Sequence, residues 1–275
     1  MALSIHDSLW ESLAVFGAGI GAGTINTIVG SGTLITFPVL LATGLPPVTA
    51  NVSNTLGLVP GSISGAIGYR KELRGQGRRV RRLAGTALLG GLTGAVLLLL
   101  LPSEAFVAIV PVLIGLALVL VVFQPRLAKA LRARQDRTST GTDTGTGTGE
   151  AHGEAHGDGG PALHAGMLLA SAYGGYFGAA QGVLYVGLMG LFLHDDLQRI
   201  NAVKNVLAAM VNGIAAIVFL FVAEFDWTAV LLIAIGSTIG GQLGAKIGRR
   251  LPPTALRAVI VAVGIVAIVQ ILLYS

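Results

Sequence analysis

The chain contains no cysteine, which excludes disulfides, thiolate catalysis and cysteine-ligated metals. It is also poor in charge: Asp, Glu, Lys and Arg make up 11% of it, against roughly 25% in an ordinary soluble domain. A chain this short of charge cannot cover the surface of a soluble globule. Its first twelve residues hold no Lys or Arg, so the basic start of a cleavable signal is missing as well. No HExxH, GxSxG, ATP-binding signature or intramembrane carboxylate pair can be found. The carboxylates sit near segment ends, in loops or in a low-complexity stretch, and Asp195-Asp196 and Glu224/Asp226 read as loop charges. No enzyme, cofactor or metal site is therefore implied. The lack of a buried acid also leaves any coupling ion open.

What the sequence has in quantity is apolar surface. Hydrophobic residues make up 53% of the chain, and its mean hydropathy is +0.78. Ten apolar segments can be read, at 9–29, 32–45, 47–69, 82–101, 104–123, 163–179, 181–194, 199–222, 226–247 and 254–274. Most reach the length of about 20 residues that a membrane-spanning helix needs. The second and seventh are shorter, as half-helices or re-entrant pieces are. Residues 136–162 are Gly/Thr-rich and too polar to bury a core, so they read as a disordered linker between a first unit, 1–135, and a second, 163–275. His152, His156 and His164 lie in or beside this stretch with no rigid frame, and they read as incidental.

All 18 Lys and Arg fall in four places: 70–82, 126–137, Arg199 with Lys204, and 246–257. Counting crossings puts all four on one side. The positive-inside rule makes that side cytoplasmic and places both termini outside an inner membrane. The net charge of +5 thus belongs to membrane loops, not to a nucleic-acid partner. Five segments per half force the second half to enter in the opposite sense. The expected fold is an all-α polytopic membrane protein built from two inverted repeats with short broken or re-entrant helices. At an offset of 150, Gly32 matches Gly182, Leu34 matches Leu184 and Asn51 matches Asn201.

The glycines at 17, 19, 21 and 23 sit inside an apolar helix with no preceding strand. They read as close-packing pairs rather than a dinucleotide fingerprint, as do Gly90/Gly94 and the series 236, 240, 244, 248. Gly30-Ser31-Gly32 differs, because it falls between a long and a short segment and exposes backbone N–H groups. Gln181-Gly182 is its counterpart. Polar residues flank both breaks: Asn26, Thr27, Asn51, Ser53, Asn54 and Thr55 in the first half, and Tyr185, Asn201, Lys204, Asn205 and Asn212 in the second. Amides and hydroxyls can donate hydrogen bonds to an oxyanion, and they can also join helices. Lys204 either serves the site or snorkels past Arg199 to the surface. The candidate substrate-binding set is Asn26, Gly30, Ser31, Gly32, Asn51, Asn54, Gln181, Gly182, Tyr185, Asn201, Lys204 and Asn205, facing one central cavity.

The stretch GTINTIVGSGTLITFPVLLATGLPP (Gly23 to Pro47), followed by ANVSNT (Ala50 to Thr55), resembles the first-half signature of the sulfite exporter TauE/SafE family. YGGYFGAAQG (Tyr173 to Gly182) and NAVKN (Asn201 to Asn205) look like its repeat. Ser31 and Gln181 stand where members often carry a glycine-rich run. The resemblance implies a permease of small sulfur-containing or related organic anions. The expected function is therefore secondary transport, by alternating access, of a small anion such as sulfite or a sulfonate. A channel-like facilitator and a non-transporting scaffold are the rival classes.

Overall fold

The computed structural model describes residues 9–140, 160–193 and 195–247, with positions 261, 262, 265, 268 and 269. These residues are all-helical: α1 (Leu9–Ile28), α2 (Thr33–Ala42), α3 (Pro47–Gly68), α4 (Gly77–Leu100), α5 (Ser103–Thr140), α6 (Gly160–Tyr176), α7 (Gln181–Phe192), α8 (Leu197–Val222) and α9 (Trp227–Ile247). The first nine apolar segments correspond to them in order. The tenth lies largely outside the described residues, as does 141–159 of the expected linker. Helix α5 runs to Thr140 and α6 starts at Gly160, so helix extends into both ends of the stretch read as linker.

Among the described residues four helices are long and apolar enough to cross a membrane: Gly77–Leu100, Ser103–Gln124, Leu197–Val222 and Trp227–Ile247. The expectation that most segments would qualify is met only in part. The reason is location. Helix α3 is rich in Gly, Ser, Asn and Thr, and it buries a continuous run from Ala50 to Thr55 against other helices. The lipid-type surface lies elsewhere, on side chains such as Val112, Phe221 and Leu231, which are 69%, 85% and 60% exposed.

Local signals fix the helix ends. Pro47 opens α3 at a position where its missing N–H costs nothing. Asp196 caps α8, its carboxylate accepting from the Gln198 N–H at 2.8 Å. Asp226 does the same for α9 through the Ala229 N–H at 2.8 Å. These two residues, read from sequence as loop charges, are helix caps.

The two short helices fold back as hairpins. Gly166 packs on Leu188, Ser171 bonds Tyr185, and Gly174 packs on Gln181, so α7 runs antiparallel to α6. Gly32 likewise packs on Ala22 and Asn26, and Gly21 lies near Ile35, which turns α2 back along α1. Asp195, just after α7, pairs with Arg79 at the start of α4. The Asp226 N–H, just before α9, bonds Ser53 near the start of α3. The hairpins therefore return to opposite ends of the bundle.

The helices of the two halves interleave. α1 packs on α9, and α6 on α4; α3 packs on α9, and α8 on α4; α3 and α8 pack on each other. Exchanging α1–α4 for α6–α9 maps this set of pairs onto itself. Glycine makes these approaches close. A methyl on Gly236 would stand 2.6 Å from the Phe16 carbonyl, and one on Gly90 would stand 2.5 Å from that of Leu168. Gly19, Gly23, Gly94, Gly240 and Gly244 are packed in the same way. Gly17 and Gly21 are not: nothing lies within 4 Å of the first, and the second meets only ordinary contacts with Ile35. Only the Gly19/Gly23 face of α1 is turned to α9. Gly248 lies outside the described residues.

Candidate functional site

The site forms where the two hairpins meet. Helix α1 ends when the Ile25 carbonyl takes the N–H groups of both Val29 and Gly30, with Gly30 at φ +90°. Helix α6 ends in the same way: the Tyr173 carbonyl takes Phe177 and Gly178, and Gly178 has φ +78°. Both are glycine C-caps of the left-handed kind. The second break thus lies at 177–180, one turn upstream of the Gln181-Gly182 pair read as its centre; those two residues form the first turn of α7. Within it, Ala180 is the one non-glycine residue with positive φ (59°) among the described residues. A conformation this costly in a candidate site is held by its surroundings.

The breaks touch. The Gly182 N–H donates to the Gly30 carbonyl at 3.1 Å, and a side chain on either glycine would collide with the other's backbone. The halves therefore meet by direct packing, without an open space between the glycines. A groove of about 480 Å3 lies elsewhere, between α3 and α8, lined by apolar residues such as Ile67 and Met210 with Arg70 beside them.

Lys204 is fully buried and does not snorkel. Its stem packs on Gly182. Its ammonium donates to the carbonyls of Asn26 at 2.8 Å and Thr27 at 3.0 Å. Asn201 and Asn205 donate to the same Thr27 carbonyl at 3.2 and 3.3 Å. The negative end of α1 is thus met by one cation and two amides. Across the contact, Asn51 donates to the Tyr176 carbonyl at the end of α6, at 2.9 Å. Each half therefore caps the other half's broken helix with an asparagine.

Asn54 faces its own half. Its carbonyl oxygen accepts from Thr36, and its amide N–H donates to Thr33 at 3.1 Å. Gln181 donates to the Tyr185 hydroxyl at 2.8 Å, which bonds Ser171 at 2.6 Å, so Tyr185 ties α7 to α6. The Asn26 side chain turns to Ser62 of α3, 3.1 Å away, and contributes only its carbonyl to Lys204. Asn212 makes no contact with this cluster among the described interactions. The threonines of α2 and the hydroxyls of Ser171 and Tyr176 were missed in the sequence. A Thr-x-x-Thr pair in the first turn of a short helix was the available signal.

Several buried polar atoms have no partner among the described residues: Ser31 Oγ, Thr27 Oγ1, Asn51 Oδ1, Asn201 Oδ1 and the Tyr173 and Tyr176 hydroxyls. The Ser31, Gly32 and Thr33 N–H groups at the start of α2 also make no hydrogen bond there, whereas the first N–H groups of α7 are used. Lys204 has no carboxylate partner among the described residues; at the bundle end, ion pairs join Asp195 to Arg79 and Arg199.

The family profile described as "Sulfite exporter TauE/SafE" matches residues 15–271. The chain belongs to the sulfite exporter TauE/SafE family. This TauE/SafE protein is 25% identical over 253 residues to "Probable membrane transporter protein YfcA" of Escherichia coli (strain K12), covering 91% of the chain and 86% of the relative. A "Probable membrane transporter protein" of Haemophilus influenzae is 25% identical over 250 residues, 90% of the chain and 89% of the relative. "Probable membrane transporter protein ORF9" of a Sinorhizobium species is 24% identical over 269 residues, 98% and 95%. No solved structure matches the chain. Family and relatives together identify the TauE/SafE chain as a membrane transporter.

Proposed function

We propose that the protein is a secondary transporter that exports a small anion, such as sulfite, a sulfonate or a related organic oxyanion, through a site at the crossing of its two breaks. One observation carries this reading. Lys204 is a fully buried lysine, pressed against Gly182, with no carboxylate partner among the described residues. A charge so placed is costly unless a partner meets it. Its ammonium has three N–H donors, and two are used. Ser31 Oγ, fully buried and unpartnered, and the open N–H groups at the start of α2 flank the same contact. They add donors at the positive end of a helix, which suits an anion.

The reciprocal packing supports a reading of the halves as inverted repeats, 1–135 and 163–275, joined by a cytoplasmic linker at 136–162. Rocking of one half on the other would separate the glycine contact and open the site to each side in turn. The Lys and Arg distribution supports a cytoplasmic bundle end at Arg79 and Arg199 with the termini outside.

Thermal-shift measurement on the purified protein against sulfite, a panel of sulfonates and carboxylates tests the site. At least one sulfur oxyanion is expected to raise Tm in the wild type and not in Lys204→Met. If no anion shifts the wild type, the reading fails. Saturable counterflow in proteoliposomes separates a transporter from a channel-like facilitator. A cysteine placed at Ser139 should resist impermeant reagent in intact cells.

A further inference from the structure

The two broken helices present the same carbonyls to different partners. In α1, once Ile25 has taken both capping N–H groups, the Asn26, Thr27 and Ile28 carbonyls remain. The first two are met by the Lys204 ammonium, and Asn201 and Asn205 add their amides. In α6 the equivalent step leaves the Gly174, Gly175 and Tyr176 carbonyls without a backbone partner. Among the described residues only Asn51 meets them, at Tyr176. The position on α3 that corresponds to Lys204 at the offset of 150 is Asn54, a neutral residue turned away toward Thr33 and Thr36.

A second observation points into the same place. The Asn51 amide must donate to Tyr176 through its nitrogen, because a carbonyl can only accept. Its oxygen, on the same planar group, is fully buried and unpartnered at the end of α6. An orphaned side-chain acceptor thus joins the negative end of a broken helix.

We infer that the end of α6 binds a monovalent metal cation, sodium, in the place that the Lys204 ammonium takes at the end of α1. The ligands are neutral oxygens, from Asn51 Oδ1 and the last-turn carbonyls of α6. Hard cations are held by such oxygens, and the C-terminal ends of broken helices are where transporters coordinate them. No carboxylate stands there among the described residues to balance a second positive charge, which favours sodium over a divalent ion. None of these ligands titrates near neutral pH, so the place takes a metal ion and not a proton.

This inference rests on the proposed anion site, because an anion held near Lys204 also faces the sodium and each would raise the other's affinity. The test is thermal stability of the purified full chain in sodium chloride, potassium chloride and choline chloride at equal ionic strength, with and without sulfite. A saturable rise in Tm specific to sodium, enlarged by sulfite, is expected in the wild type. Asn51→Leu should lose the sodium effect. Asn54→Lys, which places an ammonium at the equivalent position, should be stable in choline chloride and indifferent to sodium. If the wild type melts identically in all three salts while sulfite still stabilises it, the sodium site is overturned and the anion reading stands. If sodium stabilises Asn54→Lys as it does the wild type, the assignment to the end of α6 is overturned.

Discussion

Helices α1 and α6 end on the same backbone motif but differ in what surrounds it. At α1, a lysine and two asparagines from α8 converge on the last carbonyls. At α6, one asparagine from α3 does the work, and the next polar residue, Asn54, instead fastens the start of α2. The helix that follows differs as well. α2 begins with N–H groups that make no hydrogen bond among the described residues, while the Gly182 N–H of α7 is taken by Gly30. The two helix ends are thus alike in backbone and unlike in chemistry. Packing pairs and capping glycines are set by shape, so they can match while the side chains around them differ. On the proposed reading, a single ligand with one charge needs its opposite charge only once.

The comparison can be broken at its hinge. Gly30→Ala should have the largest effect. It adds a side chain at φ +90° and drives it into Gly182. The left-handed conformation costs about 1–2 kcal/mol and overpacking about 1–3 more. Gly44→Ala is the control, since Gly44 has φ +83° but nothing within 4 Å, and it should show the conformational cost alone. Equal losses in the two variants, measured by thermal melts, would mean that the Gly30–Gly182 contact does not matter.

Next in size is the lysine. Lys204→Met keeps the stem against Gly182 and removes the charge. The loss of charge-assisted hydrogen bonds of about 1.5–3 kcal/mol predicts roughly 10- to 150-fold weaker anion binding. Titration calorimetry with the best anion from the screen measures it. Asn54→Leu should be milder, about tenfold, which corresponds to about 1.4 kcal/mol. It acts through Thr33 and Thr36, by loosening the start of α2 rather than by removing a direct contact. If Asn54→Leu weakened binding more than Lys204→Met, the asymmetry would be drawn the wrong way round.

The smallest effect belongs to the bundle end. Asp195 joins the halves through Arg79 at 2.5 Å and is also held by Arg199 of its own half at 2.9 Å. Burial raises its pKa, but the hydrogen bond from Arg79, the Asp196 N–H and the charges of both arginines outweigh this and hold the carboxyl below its usual range. A group whose folded pKa is depressed contributes fully above its unfolded value, near pH 4, and loses that contribution as pH falls through the folded value. Asp195→Asn should therefore lower stability by less than about 1 kcal/mol near neutral pH, and the gap should close as pH falls below the usual carboxylate range. A gap that widens on acidification would contradict the ion pair.

Much of the frame was legible because it is local. Hydropathy and segment length gave ten segments, of which the first nine match the helices of the described residues in order, the two short ones among them, and the Gly30 break. The offset of 150 holds from α3 and α8 onward: Pro47 and Leu197 start those helices. It slips at the short ones, where Thr33 and Gln181 are 148 apart. Sequence matching at Gly32/Gly182 thus aligned residues at different positions of the helix start, Gly32 just before α2 and Gly182 inside α7. The glycines of α1 show the same limit. All four look alike in sequence, and only Gly19 and Gly23 face α9.

By itself the sequence determined the membrane class, the succession of segments and the family, because burial in lipid and helix length depend on nearest neighbours and composition. Only the tertiary structure decided where Lys204 points. One turn from Arg199, a lysine can reach the surface or turn inward, and both are compatible with its helix. The choice was made by carbonyls of Asn26 and Thr27, more than 170 positions away, left open when α1 stops short and brought within 3.0 Å by the packing of one half against the other.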